Sequence, residues 1–426
     1  MNIYLKDVVG EERRTFKLHL AYSIIEGIIA GILVLNEFVF IKSLLGTDYQ
    51  LSFLFQFSVV VFLFSIFLME ILKRIQNKKK LLRIISFSTR LPLVLLMFFP
   101  SNSEEMLGSS YYHYIFLAIF FVYFLASTIV LPTINAFLKS NYSHHNFGKL
   151  YSYATSVNKI VLLISTFFFG FLLDYDNYAF VYIYPFLGLL GIISINLLSR
   201  IKYEEIPVNL NRKKFWKTIA ESINNMIDII QKNKPYRDFE IGFMLYGFSF
   251  MVSVSVITIF FDKALNLNYS SVAFYKNAYN ILAIVLLPFF GKLLGKIDPR
   301  KFAIITYSAL LLYFVFMTIT EYMPQHFIVF DIKIYYSLLL SFFFYGIFAA
   351  TMALLWFIGS AYFCKNEDAG QYQSIHLTLT GVRAAFAPII GIYFYNKIGF
   401  SGNFIIAIVS LVFAIGMMFW SLKKSK

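Results

Sequence analysis

KRIQNKK (Lys73–Lys79) and GKIDPRK (Gly295–Lys301) decide the fold, because they stand in one register. Ile75 and Ile297 are 222 residues apart, as are Lys79 and Lys301. The same 222-residue offset relates GKLYSY, opened by Gly148, to GQYQSI, opened by Gly370, and so Ser152 to Ser374. Two landmarks far apart in the chain sharing one spacing is what two similar halves joined head to tail produce, and such repeats settle architecture before any single residue does. In a membrane chain the repeat points to a transporter, whose related bundles rock around a site held between them.

The surrounding sequence is that of a membrane protein. Apolar residues make up 59% of 426 and charged residues 14%, with a mean hydropathy of +0.69, whereas soluble chains carry about 25% charged residues. Apolar runs of about 18 residues or more read as spanning helices. Twelve are expected. The first half holds residues 16–45, 51–75, 81–99, 112–137, 150–173 and 178–198. The second holds 239–261, 272–297, 302–319, 334–363, 372–395 and 403–422. They are too long and too uniformly apolar for barrel strands, which alternate over about ten residues. The expected fold class is therefore all-α, a polytopic membrane protein of two pseudo-symmetric six-helix bundles. Its parts are residues 1–199, a basic cytoplasmic linker at 200–237, and residues 238–426.

Lysine and arginine set the orientation. Of 37, 29 fall on the side that holds both termini and four (Lys42, Lys263, Lys333, Lys397) on the other, the rest lying inside spans. That bias places both termini in the cytoplasm, in a plasma or bacterial inner membrane. The net charge of +14 is then explained by loops facing an anionic leaflet, and no nucleic-acid partner is expected. The lone Cys364 excludes an internal disulfide and a Cys-based metal site; no metal or other cofactor is expected. The first apolar segment is too long for a signal-peptide core and should remain as helix 1. In the linker, Phe215, Ile219, Ile223, Met226, Ile227 and Ile230 recur at helical spacing opposite Lys217, Glu221 and Asp228, which predicts an interfacial amphipathic helix with Trp216 at headgroup level.

Six helices, a basic central loop and six more resemble the major facilitator superfamily over essentially the whole chain. In that family the short loops after helices 2 and 8 carry a Gly-x-x-x-Asp-Arg-x-Gly-Arg-Lys type motif. The second copy here is GKLLGKIDPRK, in which Gly291, Lys296 and Arg300 match by type, Gly295 replaces the usual Asp and Asp298 the second Gly. In the first, MEILKRIQNKK, Arg74 and Lys78 match by type and Lys73 stands where Asp would be. The resemblance implies that these loops gate the cytoplasmic side, without the Asp that helps latch the halves. Helix 5 reads STFFFGFLL and lacks the Gly-Pro pattern of drug antiporters.

Ionisable groups inside a bilayer are costly and are functional candidates by default. Six lie far from span ends: Glu26, Glu37, Arg90, Lys159, Lys276 and Arg383. On an unbroken helix 1, the eleven residues from Glu26 to Glu37 turn to within about 20° of three full turns, so both carboxylates share a face roughly 16 Å apart. The resemblance implies that helix 1 lines the central cavity, which makes both proton-coupling candidates, Glu26 first; the alternatives are a fixed pair with Arg90 or Lys159 and a neutral hydrogen-bonded acid. Lys159 and Arg383 occupy the middles of helices 5 and 11, and two cations from opposite halves would clamp an anionic group. The small residues and Pro388 after Arg383 ease close packing and free a carbonyl. Arg90 reads as a packing residue and Lys276 as able to snorkel. His376, on the face of Arg383, and Asn158, Tyr246 and Trp356 complete the substrate-binding candidates.

These features predict a secondary transporter of a small, anionic or amphiphilic solute by alternating access, coupled to protons, surrounded by lipid and monomeric. A GxxxxGK[ST] loop for an ATP motor is absent, and HExxH and GxSxG are absent, so no enzyme is expected. A transporter-like receptor or scaffold that binds without cycling is the alternative.

Overall fold

The computed structural model describes residue 8 and residues 10–108, 110–203, 215–364 and 369–424. Residues 204–214 of the linker, including Lys214, lie outside the described residues. In chain order the helices begin with α1 (Gly10–Leu33), α2 (Asn36–Lys42), α3 (Asp48–Val60), α4 (Ser65–Arg74), α5 (Lys78–Arg90) and α6 (Ser103–Gly108). There follow α7 (Tyr111–Leu125), α8 (Ser127–Asn141), α9 (His144–Tyr175), α10 (Phe180–Ser199), the linker helix α11 (Phe215–Lys232), α12 (Lys234–Ile259) and α13 (Tyr269–Leu294). After α14 (Pro299–Tyr322) a hairpin of β1 (His326–Val329) and β2 (Ile332–Tyr335) leads to α15 (Tyr336–Leu354), α16 (Ala369–Ala384) and α17 (Ala387–Lys424). Among the described residues, ten helical stretches are long and apolar enough to cross a membrane. One of them, Gln371–Lys424, is 54 residues long and is broken by Gly399 at φ 74°, a backbone region that glycine reaches without steric cost.

Local chemistry explains the starts. Thr47 and Gln50 form a reciprocal capping box at α3. Asn233 accepts from the Tyr236 amide and Pro235 sits in the first turn of α12. Asn268 and Asp298 cap α13 and α14 in the same way.

The chain divides into two compact units, residues 1–46 with 67–212, and residues 47–66 with 213–426. In the first, α1 lies along α9 and α10 packs on α5. The α1–α9 approach is backbone to backbone: a Cβ on Gly27 would sit 2.7 Å from the Asn158 carbonyl oxygen, and on Gly31 2.4 Å from that of Leu162. This is the small-xxx-small packing of helices in lipid, where apolar burial alone does not drive association. In the second unit α12 lies along α17, and α14 packs on α15 and α17.

Three expectations change. Helix 1 is not continuous: the α-helix stops at Leu33, Leu35 N–H bonds back to Ile32 at 3.3 Å, and a new helix opens at Asn36. Asn36 is buried with neither side-chain amide atom partnered among the described residues. The argument that Glu26 and Glu37 share one face needs an unbroken helix and does not hold across this turn. The span expected over residues 51–75 is split, with a tight 3₁₀ turn at Val61–Phe64 between α3 and α4.

The span expected from Ile334 starts instead at Tyr336. Ile332–Tyr335 pairs antiparallel with His326–Val329 through a two-residue turn, Phe330 and Asp331, both at positive φ. That is the twist-matched hairpin turn, and the β-branched alternation of IKIY suits a strand. Residues 47–66 group with the second unit. There Gln56 Nε2 donates to the Ala385 carbonyl at 2.6 Å and Lys263 pairs with Asp48 at 2.8 Å.

Candidate functional site

In the first unit the candidate ions gather around α1. Ser194 Oγ, on α10, donates to Glu26 Oε1 at 2.5 Å. Arg90, at the end of α5, is buried, with its guanidinium carbon 3.8 Å from the Tyr123 ring centre and Nη1 3.4 Å from the Tyr123 carbonyl oxygen. Glu26 and Arg90 both lie within electrostatic range of the Tyr22 and Tyr123 hydroxyls. No ion pair joins Glu26 to Arg90 or Lys159 among the described residues. Glu26 is held by the Ser194 hydroxyl.

Lys159, on α9, is half-buried and has no hydrogen bond or ion pair among the described residues. Its neighbour Asn158 is committed to structure, donating from Nδ2 to the Ser23 carbonyl at 2.8 Å. Glu37 is half-buried on α2 and engaged by a partner.

The second unit holds a denser cluster. Arg383 is 1% exposed. Its Nη1 donates to the Phe243 carbonyl at 2.6 Å, and its guanidinium lies 5.2 Å from the Phe243 ring centre and 5.3 Å from that of Tyr246. Room for it exists because residue 247 is glycine: a Cβ there would be 1.7 Å from the guanidinium carbon. Tyr246 stacks on Tyr307 at 5.1 Å. One turn before Phe243, Glu240 meets His376, with His376 Nδ1 3.0 Å from Glu240 Oε1. The imidazole is packed by Phe243 at 4.2 Å and Trp356 at 5.3 Å between ring centres. Trp356 belongs to a π-helical turn, Leu355–Gly359, a widening that often marks functional sites.

Sequence reasoning found Arg383, His376, Tyr246 and Trp356 and the structure brings them together; it missed Glu240. The expected span began at Phe239, which left Glu240 as a boundary charge. The Asn233 cap and Pro235 were the signal, since they start the helix at Lys234 and put Glu240 almost two turns inside. Lys276, on α13, is half-buried and engaged, outside this cluster.

The loop motifs do local work. Arg74 Nη2 pairs with Glu70 at 2.9 Å one turn earlier, and Lys78 Nζ donates to the Tyr203 hydroxyl at 3.3 Å. In the second copy Asp298 caps α14 and pairs with Arg300 at 2.8 Å. Burial raises the Asp298 carboxyl, but hydrogen bonds from the Arg300 side chain and backbone outweigh it and hold it below its usual range. Arg300 Nη1 also donates to Ser421 Oγ at 3.0 Å, and Ser421 Oγ to Asp238 at 3.2 Å, so this motif ties the start of α14 to the end of α17 and the start of α12. Gly291 has open space around it and Lys296 is exposed.

The sequence profile of the Major Facilitator Superfamily matches residues 18–330 and, separately, 241–426. The chain belongs to the Major Facilitator Superfamily. It is an integral, multi-pass membrane protein of a transporter family. Among curated proteins, none matches it in sequence. Similar solved structures include the nucleoside transporter NupG, at 14% identity and a TM-score of 0.66 over 97% of this chain and 99% of that one. The peptide transporter POT in complex with sulfate gives 12% and 0.68 over 96% and 94%. A POT family transporter in complex with 5-aminolevulinic acid gives 10% and 0.73 over 97% of each. At these identities the likeness is one of fold.

Proposed function

We propose that this superfamily member is a secondary active transporter that moves a small anionic or amphiphilic solute by alternating access of two six-helix halves, residues 1–199 and 238–426, driven by protons. Twelve crossings result when Asp48–Phe64 counts as one and the stretch bent at Gly399 as two; the Lys and Arg bias then supports cytoplasmic termini. The observation that carries the solute reading is Lys159. Of the six ions deep in the expected spans it alone has no partner among the described residues. An unpaired cation at that depth costs several kcal/mol, and an anionic solute would offset that cost. Glu26, held by one hydroxyl and free of any ion pair among the described residues, supports reversible protonation there.

The test begins with a thermal-shift screen of nucleosides, dipeptides, amino acids and carboxylates on purified protein, since a ligand that binds the folded form raises its stability. A hit is carried into proteoliposomes with an imposed pH gradient. Lys159→Gln should weaken its binding by about tenfold or more, equivalent to about 1.4 kcal/mol. Glu26→Gln should retain exchange but lose uphill accumulation. Saturable binding without counterflow would establish the receptor alternative instead.

A further inference from the structure

Among the buried polar atoms of the second unit that have no partner among the described residues are His376 Nε2, Arg383 Nε and Tyr307 Oη. They belong to α16 and α14 and surround one carboxylate, Glu240, which acts electrostatically on both Arg383 and Tyr307. His376 is 0% exposed, Arg383 1% and Glu240 3%. Nothing the size of a metabolite reaches groups so enclosed, so the chemistry open to them is that of a proton. We propose that the Glu240–His376 pair is a reversible proton-binding site, separate from Glu26, which takes up one proton at His376 Nε2. It deepens the proton-driven reading above and rests on it for its role in transport.

With Glu240 ionised, Nδ1 carries the hydrogen and donates to the carboxylate, which leaves the Nε2 lone pair without a protein partner. An incoming proton forms the N–H bond on that lone pair and no protein bond breaks. The resulting imidazolium lies against Glu240, which balances its charge. The other groups facing the pair are fixed in charge or neutral around pH 7. Arg383 stays a cation. Tyr236, whose hydroxyl donates to the Tyr372 carbonyl at 2.7 Å beside Glu240, and Tyr246, Tyr307 and Tyr372 are phenols, and Phe243 and Trp356 do not titrate. Cys364 lies near Tyr236 rather than at the imidazole. One proton therefore takes the cluster from near neutral, with one carboxylate and one guanidinium, to a net positive charge.

Trp356 reports on the pair directly, because an imidazolium quenches a neighbouring indole more than a neutral imidazole does. Two of the three tryptophans, Trp216 and Trp420, are exposed and are replaced by Phe. In this full-length background Trp356 emission should fall along a one-proton curve as the pH is lowered. His376→Gln should abolish the curve. Glu240→Gln, which keeps the shape and an acceptor, should displace it toward acid by about one pH unit or more, as loss of the balancing charge requires. A flat trace, the same curve in His376→Gln, or an undisplaced curve in Glu240→Gln would overturn the proposal. The titration needs neither solute nor gradient, so a flat trace removes the pair while leaving Glu26-dependent uptake standing. Failed uptake beside an intact curve removes the transport reading and leaves the proton site.

Discussion

Substituting Gly247 by Ala should expel the Arg383 guanidinium from its place. The new Cβ would lie 1.7 Å from the guanidinium carbon and 1.8 Å from Nη1, whereas comfortable carbon contacts begin near 3.5 Å. Arg383 must therefore retreat by about 2 Å, since the helix backbone that carries residue 247 cannot. That movement breaks the 2.6 Å bond from Nη1 to the Phe243 carbonyl, a charge-assisted bond worth about 1.5–3 kcal/mol. Overpacking adds about 1–3 kcal/mol, so a loss of roughly 3–5 kcal/mol is expected. The control is the same substitution in an Arg383→Ala background, which removes every side-chain atom that the new Cβ would meet. There the clash is gone and replacing a helical glycine should be neutral or stabilising by up to about 1 kcal/mol. Equilibrium unfolding of the four proteins in mixed micelles closes the double-mutant cycle, and a coupling of at least about 2 kcal/mol is expected. Equal costs in both backgrounds would refute the packing argument, and with it the claim that Gly247 exists to house this cation.

Two further outcomes follow from single contacts. Asn is as good a helix cap as Asp, so Asp298→Asn keeps the cap of α14 and removes the ion pair with Arg300. The Asp298 carboxyl is held below its ordinary 3.8, so the wild-type advantage of about 1 kcal/mol should be full above that value and vanish as pH falls through the lower folded one; amide exchange in the first turn of α14, compared between the two proteins from pH 6 to 3, checks it. Gln56→Leu leaves the Ala385 carbonyl without its Nε2 donor and should cost about 1–3 kcal/mol in thermal unfolding of the purified protein.

Much of the fold was legible because lipid leaves the backbone few choices. Without water to satisfy amides, long apolar runs must be helices, and most of the expected spans coincide with observed ones within a few residues. The failures fall where the chain departs locally from that rule. Helix 1 breaks at Val34–Leu35, and so the shared face of Glu26 and Glu37 was an inference from ideal geometry that a local turn cancelled. IVFDIKIYY is apolar enough to extend a span, yet its alternation and the Phe330–Asp331 turn make it a hairpin. At the candidate site, residue type and depth picked out Arg383 and His376, because charge inside an apolar run is visible in the sequence. Their partners were not visible, since nothing in a sequence says which carboxylate reaches across between helices; Glu240, 136 residues from His376, looked like an ordinary boundary charge. The glycine that admits Arg383 is hidden for the same reason. A missing side chain acquires meaning only when the group filling its space is known, and here that group is a buried cation whose neighbours, a carboxylate and an imidazole, make the second unit as credible a place for a proton as helix 1.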